Sequence, residues 1–111
     1  MSVVGAIMVP HPPIILPEVG RGEEKKIAAT AAAYEQAATL VSELRPDTIV
    51  LASPHSILYS DYFHISPGKA AKGDMGQFRA PEVKIHAEYD TEFVAELTKR
   101  CISHAFSCVT G

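Results

Sequence analysis

Two histidines follow apolar runs of the sequence in similar surroundings. His11 lies in the segment VPHPP after the run 3–9, and His55 ends the segment ASPH after the run 48–53. Neutral imidazole is a good ligand for Fe(II), Zn(II) or Mn(II) and a poor one for Ca²⁺ or Mg²⁺. We therefore predict that His11 and His55 bind one metal ion.

Prolines restrict the backbone beside both histidines. Pro12 disfavours the helical conformation of His11, and Pro10 and Pro54 have a fixed φ immediately before each histidine. A stiff backbone favours ligand residues, because less order has to be imposed when the metal binds. The alternative remains open that each histidine is a polar loop residue with a backbone hydrogen bond.

The elements that must position these histidines form a predicted βαβ unit. The runs 3–9 and 48–53 are typical of buried parallel strands, and residues 23–45 have the spacing of a helix that Pro46 ends. Parallel strands joined by one crossover end at the same edge of a sheet. Neighbouring strands are about 4.8 Å apart and metal–nitrogen distances are roughly 2.0–2.2 Å, so the two imidazoles can converge there.

The remaining elements complete a predicted α/β fold with the helices packed on the sheet. The residues that recur at helical spacing on the first helix are Ile27, Ala31, Tyr34, Ala38, Val41 and Leu44. Further along we predict a short strand, a long loop, a half-exposed strand and a second helix capped at its N-terminus by Asp90 or Thr91. Their predicted bounds are 62–66, 67–81, 83–89 and 90–106. Residues 10–22 are rich in Pro and Gly and predict a loop.

Composition excludes several classes of protein. Hydrophobic residues make up 47% and charged residues 21% of the 111 residues, which is typical of a globular protein. A net charge of −3 argues against nucleic-acid binding. No apolar run approaches the roughly 20 residues that span a bilayer, and no signal peptide is recognisable. We expect a cytoplasmic protein, not bound to membranes, whose two cysteines are free thiols.

Several longer motifs carry a resemblance to a known family. These are MVPHPP at 8–13, PEVGRGEE at 17–24, PDTIV at 46–50 followed by SPH at 53–55, SDY at 60–62 and GDMGQF at 73–78. Together they resemble the class III extradiol ring-cleavage dioxygenase family, and most closely its AmmeMemoRadiSam-associated branch. The resemblance covers nearly the whole chain but only the N-terminal part of a family domain, so 1–111 is expected to be one incomplete domain.

The resemblance implies a site and a reaction. Family members hold non-haem Fe(II) with two histidines and a glutamate, a facial triad with open positions, and Zn or Mn could substitute for the iron. The substrates would be an aromatic diol and O₂. His11 and His55 match the two histidine ligands, whereas the family's glutamate and its acid/base histidine have no matching position here. The resemblance thus implies that the catalytic residues lie beyond residue 111. It also implies that the 111 residues alone are inactive, and that they act with a missing C-terminal segment or as a homo-oligomer.

Two other functions stay open from the residues. The same scaffold could serve as a non-enzymatic binding or regulatory module, or as a Zn-dependent hydrolase. Four loop carboxylates could provide a substitute third ligand, although solvated or turn-capping roles are the default for such residues. They are Glu18, Asp61, Asp74 and Glu82.

Other polar side chains are assigned supporting roles. Among the remaining histidines, we predict His64 to be structural, His86 to be exposed, and His104 to pack on the apolar face of the second helix with one hydrogen bond. Ser53 and Ser56 flank His55, and a serine hydroxyl could orient its imidazole.

Overall fold

The computed structural model describes residues 2–55 and 57–110, and within them the fold is α/β, as predicted. The helices are α1 (Pro17–Gly20), α2 (Ala28–Leu44) and α3 (Thr91–Ser103). The strands are β1 (Phe63–Ile65), β2 (Ala70–Met75), β3 (Ala80–Glu88) and β4 (Cys108–Thr110). Short 3-10 turns occupy Pro13–Ile15, Glu23–Ile27 and Gly76–Phe78.

The chain divides into two compact units. The first contains the residues up to Ile49 together with Asp74–Lys84, and so carries His11 and α2. The second contains Val50–Gly73 together with the residues from Ile85 onwards, and carries His55, β1, α3 and β4. Each unit is described by itself below.

The first predicted helix is confirmed. The 3-10 turn Glu23–Ile27 leads into α2, which ends where Arg45 adopts a left-handed φ of 48° ahead of Pro46. The residues that are half-buried recur at helical spacing, as a packing face requires. They are Ile27, Thr30, Ala31, Tyr34, Ala37, Val41 and Leu44. Ala38, which the sequence assigned to this face, is exposed, and Ala37 takes its place.

The two predicted buried strands are wrong as secondary structure. Residues 3–9 and 48–53 form no strand in the structure, and much of their apolar surface is exposed. Val3 is 89%, Met8 98% and Leu51 87% exposed. A strand exists only where its backbone N–H and C=O groups pair with a neighbouring strand, and the structure gives neither run such a neighbour among the described residues. The apolar pattern alone therefore does not create the βαβ sheet.

A parallel pair does form, but between other residues. The short strand predicted at 62–66 is confirmed as β1, which pairs in parallel with β4 in the register Phe63↔Cys108 and Ile65↔Thr110. The Phe63 N–H donates to the Ser107 carbonyl at 2.9 Å. The Phe63 ring stacks on that of Phe106 with their centroids 5.3 Å apart. Backbone pairing and ring stacking thus fix this register together.

The predicted loop at 67–81 is wrong, because it contains β2 and the start of β3. These two strands form a small antiparallel sheet, closed by the 3-10 turn Gly76–Phe78. Asp74 Oδ1 accepts the Gly76 N–H at 2.8 Å, and Arg79 leaves the turn with a left-handed φ of 62°. Glycine and aspartate therefore signal the hairpin turn itself, while the strand predicted at 83–89 begins three residues earlier.

The second predicted helix is confirmed as α3, ending at Ser103. Asp90 is its N-cap and accepts the Phe93 N–H at 3.0 Å. Cys101 is 8% exposed, and Phe93 and Leu97 are half-buried on the same side, as predicted. The described helices include none that is both long and apolar enough to cross a membrane.

Candidate metal centre

His11 lies in a segment whose backbone is held on both sides. The Tyr34 hydroxyl of α2 donates a hydrogen bond to the Pro10 carbonyl, immediately before the histidine. Immediately after it, the Pro12 carbonyl accepts the Ile15 N–H at 3.1 Å as the 3-10 turn begins. The imidazole itself is on an exposed residue, within reach of an ion from solution. The local fold thus fixes the backbone of His11 and leaves its side chain accessible.

The segment before His11 runs antiparallel to α2. A Cβ atom on Gly5 would lie 2.7 Å from Leu44 Cδ1, so the chain passes close to the end of the helix there. At the other contact Pro10 meets Tyr34, ten helical residues earlier. Ten helical residues rise about 15 Å, and five extended residues span about 16–17 Å. Residues 5–10 are therefore nearly extended along α2, as a strand before a helix would be, although no other strand pairs with them in the described chain.

The segment after His11 shows why its sequence contains two glycines. Gly20 is buried, and a Cβ there would lie 2.5 Å from the Ile14 carbonyl oxygen. Gly22 has a left-handed φ of 102°, and its N–H donates to Glu24 Oε2 at 2.7 Å. Arg21 donates from its guanidinium to the Arg79 carbonyl at 3.2 Å. This part of the PEVGRGEE motif is thus a tight connection between the histidine segment and α2.

His55 lies in the second unit and its backbone is held locally. Its N–H donates to Ser53 Oγ at 3.2 Å, across Pro54. The residue is exposed. The Ser53 hydroxyl was predicted to orient the imidazole, and this bond gives it a hold on the backbone of the histidine. The corresponding idea for Ser56 concerns a residue outside those that the structure describes.

The donor types suit a metal, but no complete metal cluster is formed. Two accessible imidazoles fit the two-histidine part of a non-haem iron or zinc centre. Within residues 2–55 and 57–110, no group of three or more His, Cys, Asp or Glu side chains could hold a metal ion. A site shared by His11 and His55 remains a prediction, one histidine belonging to each compact unit.

The four carboxylates considered as substitute ligands are exposed, and one has a clear structural task. Asp74 accepts a backbone N–H in the hairpin turn. Glu18 lies in the first turn of α1, where the helix N-terminus favours a negative charge. Glu82 lies on β3, and Asp61 precedes β1. These positions favour the turn and solvent roles over metal binding.

The other histidines divide into one half-buried and two exposed residues. His64 is half-buried in β1, with its ring centroid 6.2 Å from that of Tyr59. His86 is exposed on β3, as predicted. The packed position predicted for His104 is wrong, because this residue is the exposed C-cap of α3. Its Nδ1 lies 2.9 Å from the Arg100 carbonyl oxygen, so the predicted hydrogen bond satisfies the helix end.

Both cysteines are free thiols, as predicted. The Cys101 thiol at the end of α3 forms a hydrogen bond with Cys108 at the start of β4. This bond raises the pKa of Cys108 above its ordinary value, and partial desolvation and the charge of Cys101 act in the same direction. The pair therefore favours the protonated thiol at Cys108.

Tyr34 is the residue of this region whose task the sequence reasoning missed. It was assigned to the packing face of the helix, without a partner for its hydroxyl. A half-buried tyrosine usually finds a hydrogen-bond partner for that group, and this one stands on a face rich in alanine. An isolated tyrosine on such a face was the available signal.

Comparison with known proteins gives a family for this site. Residues 5–110 match the model of the family described as the catalytic LigB subunit of aromatic ring-opening dioxygenase. A curated protein of Clostridium acetobutylicum, named only by its locus, is 37% identical over 97 residues, which is 87% of this chain and 21% of the relative. The chain thus spans about a fifth of that relative's length. No solved structure matches the chain significantly. The match over nearly every residue, including both histidine segments, shows that the chain belongs to the LigB family of aromatic ring-opening dioxygenases.

Proposed function

We propose that this chain supplies two histidine ligands, His11 and His55, to a non-haem Fe(II) centre that cleaves aromatic diols with O₂. The observation that carries the proposal is the family match over residues 5–110, which includes both histidine segments. The hydrogen bonds that fix the backbone before and after His11 support it, because they are what a ligand position needs.

Iron bound here would supply open coordination positions for the diol oxygens and for dioxygen. The chain's own contribution is to present two imidazoles from stiff backbone segments. We further propose that the third ligand and the acid/base group come from residues other than these 111, because no matching motif is present. On this proposal the 111 residues by themselves will not turn over a catechol.

The test is an anaerobic Fe(II) titration of the intact protein, followed by oxygen uptake with a catechol. We expect His11→Ala and His55→Ala each to weaken Fe(II) binding. The loss should exceed the roughly 10- to 100-fold that removing a residue supporting a ligand typically costs. His86→Ala is the matched control, because it removes an exposed histidine from β3. Unchanged Fe(II) affinity in either ligand variant would overturn the shared site.

The same experiment separates the two alternative functions. A Zn-dependent hydrolase would bind Zn(II) through the same histidines, activate water and take up no oxygen. A non-enzymatic binding module would bind no metal at this position and consume no oxygen. Oxygen uptake that depends on both Fe(II) and the catechol, and that is lost in both histidine variants, is the outcome that our proposal requires.

A further inference from the structure

We propose that Tyr34 is a positioning residue, whose hydroxyl fixes the direction in which His11 presents its imidazole to a metal ion. The inference rests on the proposed function, in which His11 is a ligand. Nothing in the family resemblance assigns a task to Tyr34. The hydrogen bond from its hydroxyl to the Pro10 carbonyl carries the argument.

The first step is the rigidity of one peptide unit. The carbonyl that accepts from Tyr34 belongs to the planar peptide that joins Pro10 to His11. Fixing the carbonyl oxygen therefore also fixes the nitrogen and Cα of His11 in the same plane. The preceding φ is set by the ring of Pro10, and Pro12 keeps His11 extended. One hydrogen bond is thus enough to define where the side chain of His11 starts.

The second step is the support behind the hydroxyl. Tyr34 lies in the interior of α2, a helix of 17 residues, and its side chain is half-buried. The same segment meets α2 again at Leu44, which Gly5 approaches closely. Two points of attachment along one helix hold the segment against rotation, and the point at Tyr34 is next to the histidine. The helix therefore acts as a rigid base for this ligand position.

The test compares Tyr34→Phe with Tyr89→Phe. Each variant loses one phenolic hydroxyl that forms a hydrogen bond, and in Tyr89 the partner is Ser66 Oγ at 2.7 Å. Co(II) is the metal probe, because its visible absorption bands change with the geometry of its ligands. We expect Tyr34→Phe to weaken Co(II) binding about three- to tenfold, the range that the net value of one hydrogen bond implies, and to alter these bands. Tyr89→Phe should change the affinity less than about twofold and leave the bands as they are.

A second readout needs no metal. In the metal-free protein, ¹⁵N-edited NMR of the histidine rings should show a shifted or broadened His11 signal in Tyr34→Phe. The His55 signal should change less. Urea unfolding of both tyrosine variants measures the general cost of losing a phenolic hydroxyl. A purely structural role for Tyr34 would lower the unfolding midpoint without altering the Co(II) bands.

The possible outcomes separate this inference from the proposed function. Equal Co(II) affinities and bands in the two tyrosine variants, or an unchanged His11 signal in Tyr34→Phe, would overturn the positioning role. The role of His11 as a ligand would survive that result if His11→Ala still abolished binding. If His11→Ala bound Co(II) normally, the proposed function would fail instead, whatever the tyrosine variants showed.

Discussion

The two compact units hold their histidines by different means. In the first unit, the backbone before His11 is bonded to Tyr34, which lies 24 residues away on α2. In the second unit, Ser53 is only two residues from His55 along the chain, and its hydroxyl accepts the His55 N–H. One histidine segment therefore depends on a folded helix, and the other is held by a turn that its own neighbours form.

This difference teaches which substitutions should disturb each ligand position. A remote anchor fails when the helix that carries it fails, even if the histidine segment is unchanged. A local anchor is lost only when a residue of the turn itself is replaced. Substitutions of equal size can therefore have unequal effects on the two imidazoles, and the following experiments use that inequality.

The largest expected effect comes from Ala38→Pro. Ala38 is exposed in the interior of α2, so proline breaks the helix there without removing a packed side chain, at a cost of about 3 kcal/mol. We expect circular dichroism to show a loss of helix. We also expect the His11 ring signal to move more than that of His55. Ala38→Ser is the control, because serine is compatible with the helix; equal movement of both histidine signals in Ala38→Pro would contradict the remote-anchor view.

A smaller effect is expected from Ser53→Ala, which removes the acceptor of the His55 N–H. The loss of one such bond is worth about 0.5–1.5 kcal/mol. The His55 ring signal should shift while that of His11 stays in place, the reverse of the Ala38→Pro pattern. Ser53→Thr retains a hydroxyl acceptor and should restore the original His55 signal. If Ser53→Thr behaved like Ser53→Ala, the bond would not be what fixes the turn.

The smallest effect concerns the thiols of the second unit. Because the Cys101 hydrogen bond raises the pKa of Cys108, folding favours the protonated form of this thiol. Above the ordinary thiol pKa the unfolded chain loses its proton first, so this group reduces stability as the pH rises through that range, and has no effect below it. Alkylation of Cys108 requires the thiolate, and its pH profile should lie above that of an ordinary thiol. Cys101→Ala should lower that profile, and an unchanged profile would exclude the bond as its cause.

Local patterns in the sequence predicted the helices well. The spacing of Ile27, Tyr34, Val41 and Leu44 defines a face of α2 without information from the rest of the chain, and the carboxylate of Asp90 defines the start of α3. Both depend on residues a few positions apart. The turn at Gly76 also depends on local chemistry, but the glycines around it concealed β2, whose alternation is weak.

Non-local pairing could not be predicted in the same way. The runs 3–9 and 48–53 have strand composition, yet a strand requires a partner, and no residue of a run specifies one. The same limit applies to the candidate site. The sequence identified His11 from the prolines beside it, but the partner of Tyr34 became known only when the fold brought the Pro10 carbonyl to α2. The family resemblance supplied what spacing could not, and the match over residues 5–110 confirms it.

The alignment of residues 5–10 with α2 couples the lengths of two different structures. Each extended residue advances about as far as two helical residues, while the contacts at Leu44 and Tyr34 hold both ends of the segment. Deleting one residue between Gly5 and Pro10 would move His11 by about 3.3 Å relative to its anchor. Relatives that keep both contacts should therefore tolerate changes in the segment only when the helix changes by about twice as many residues.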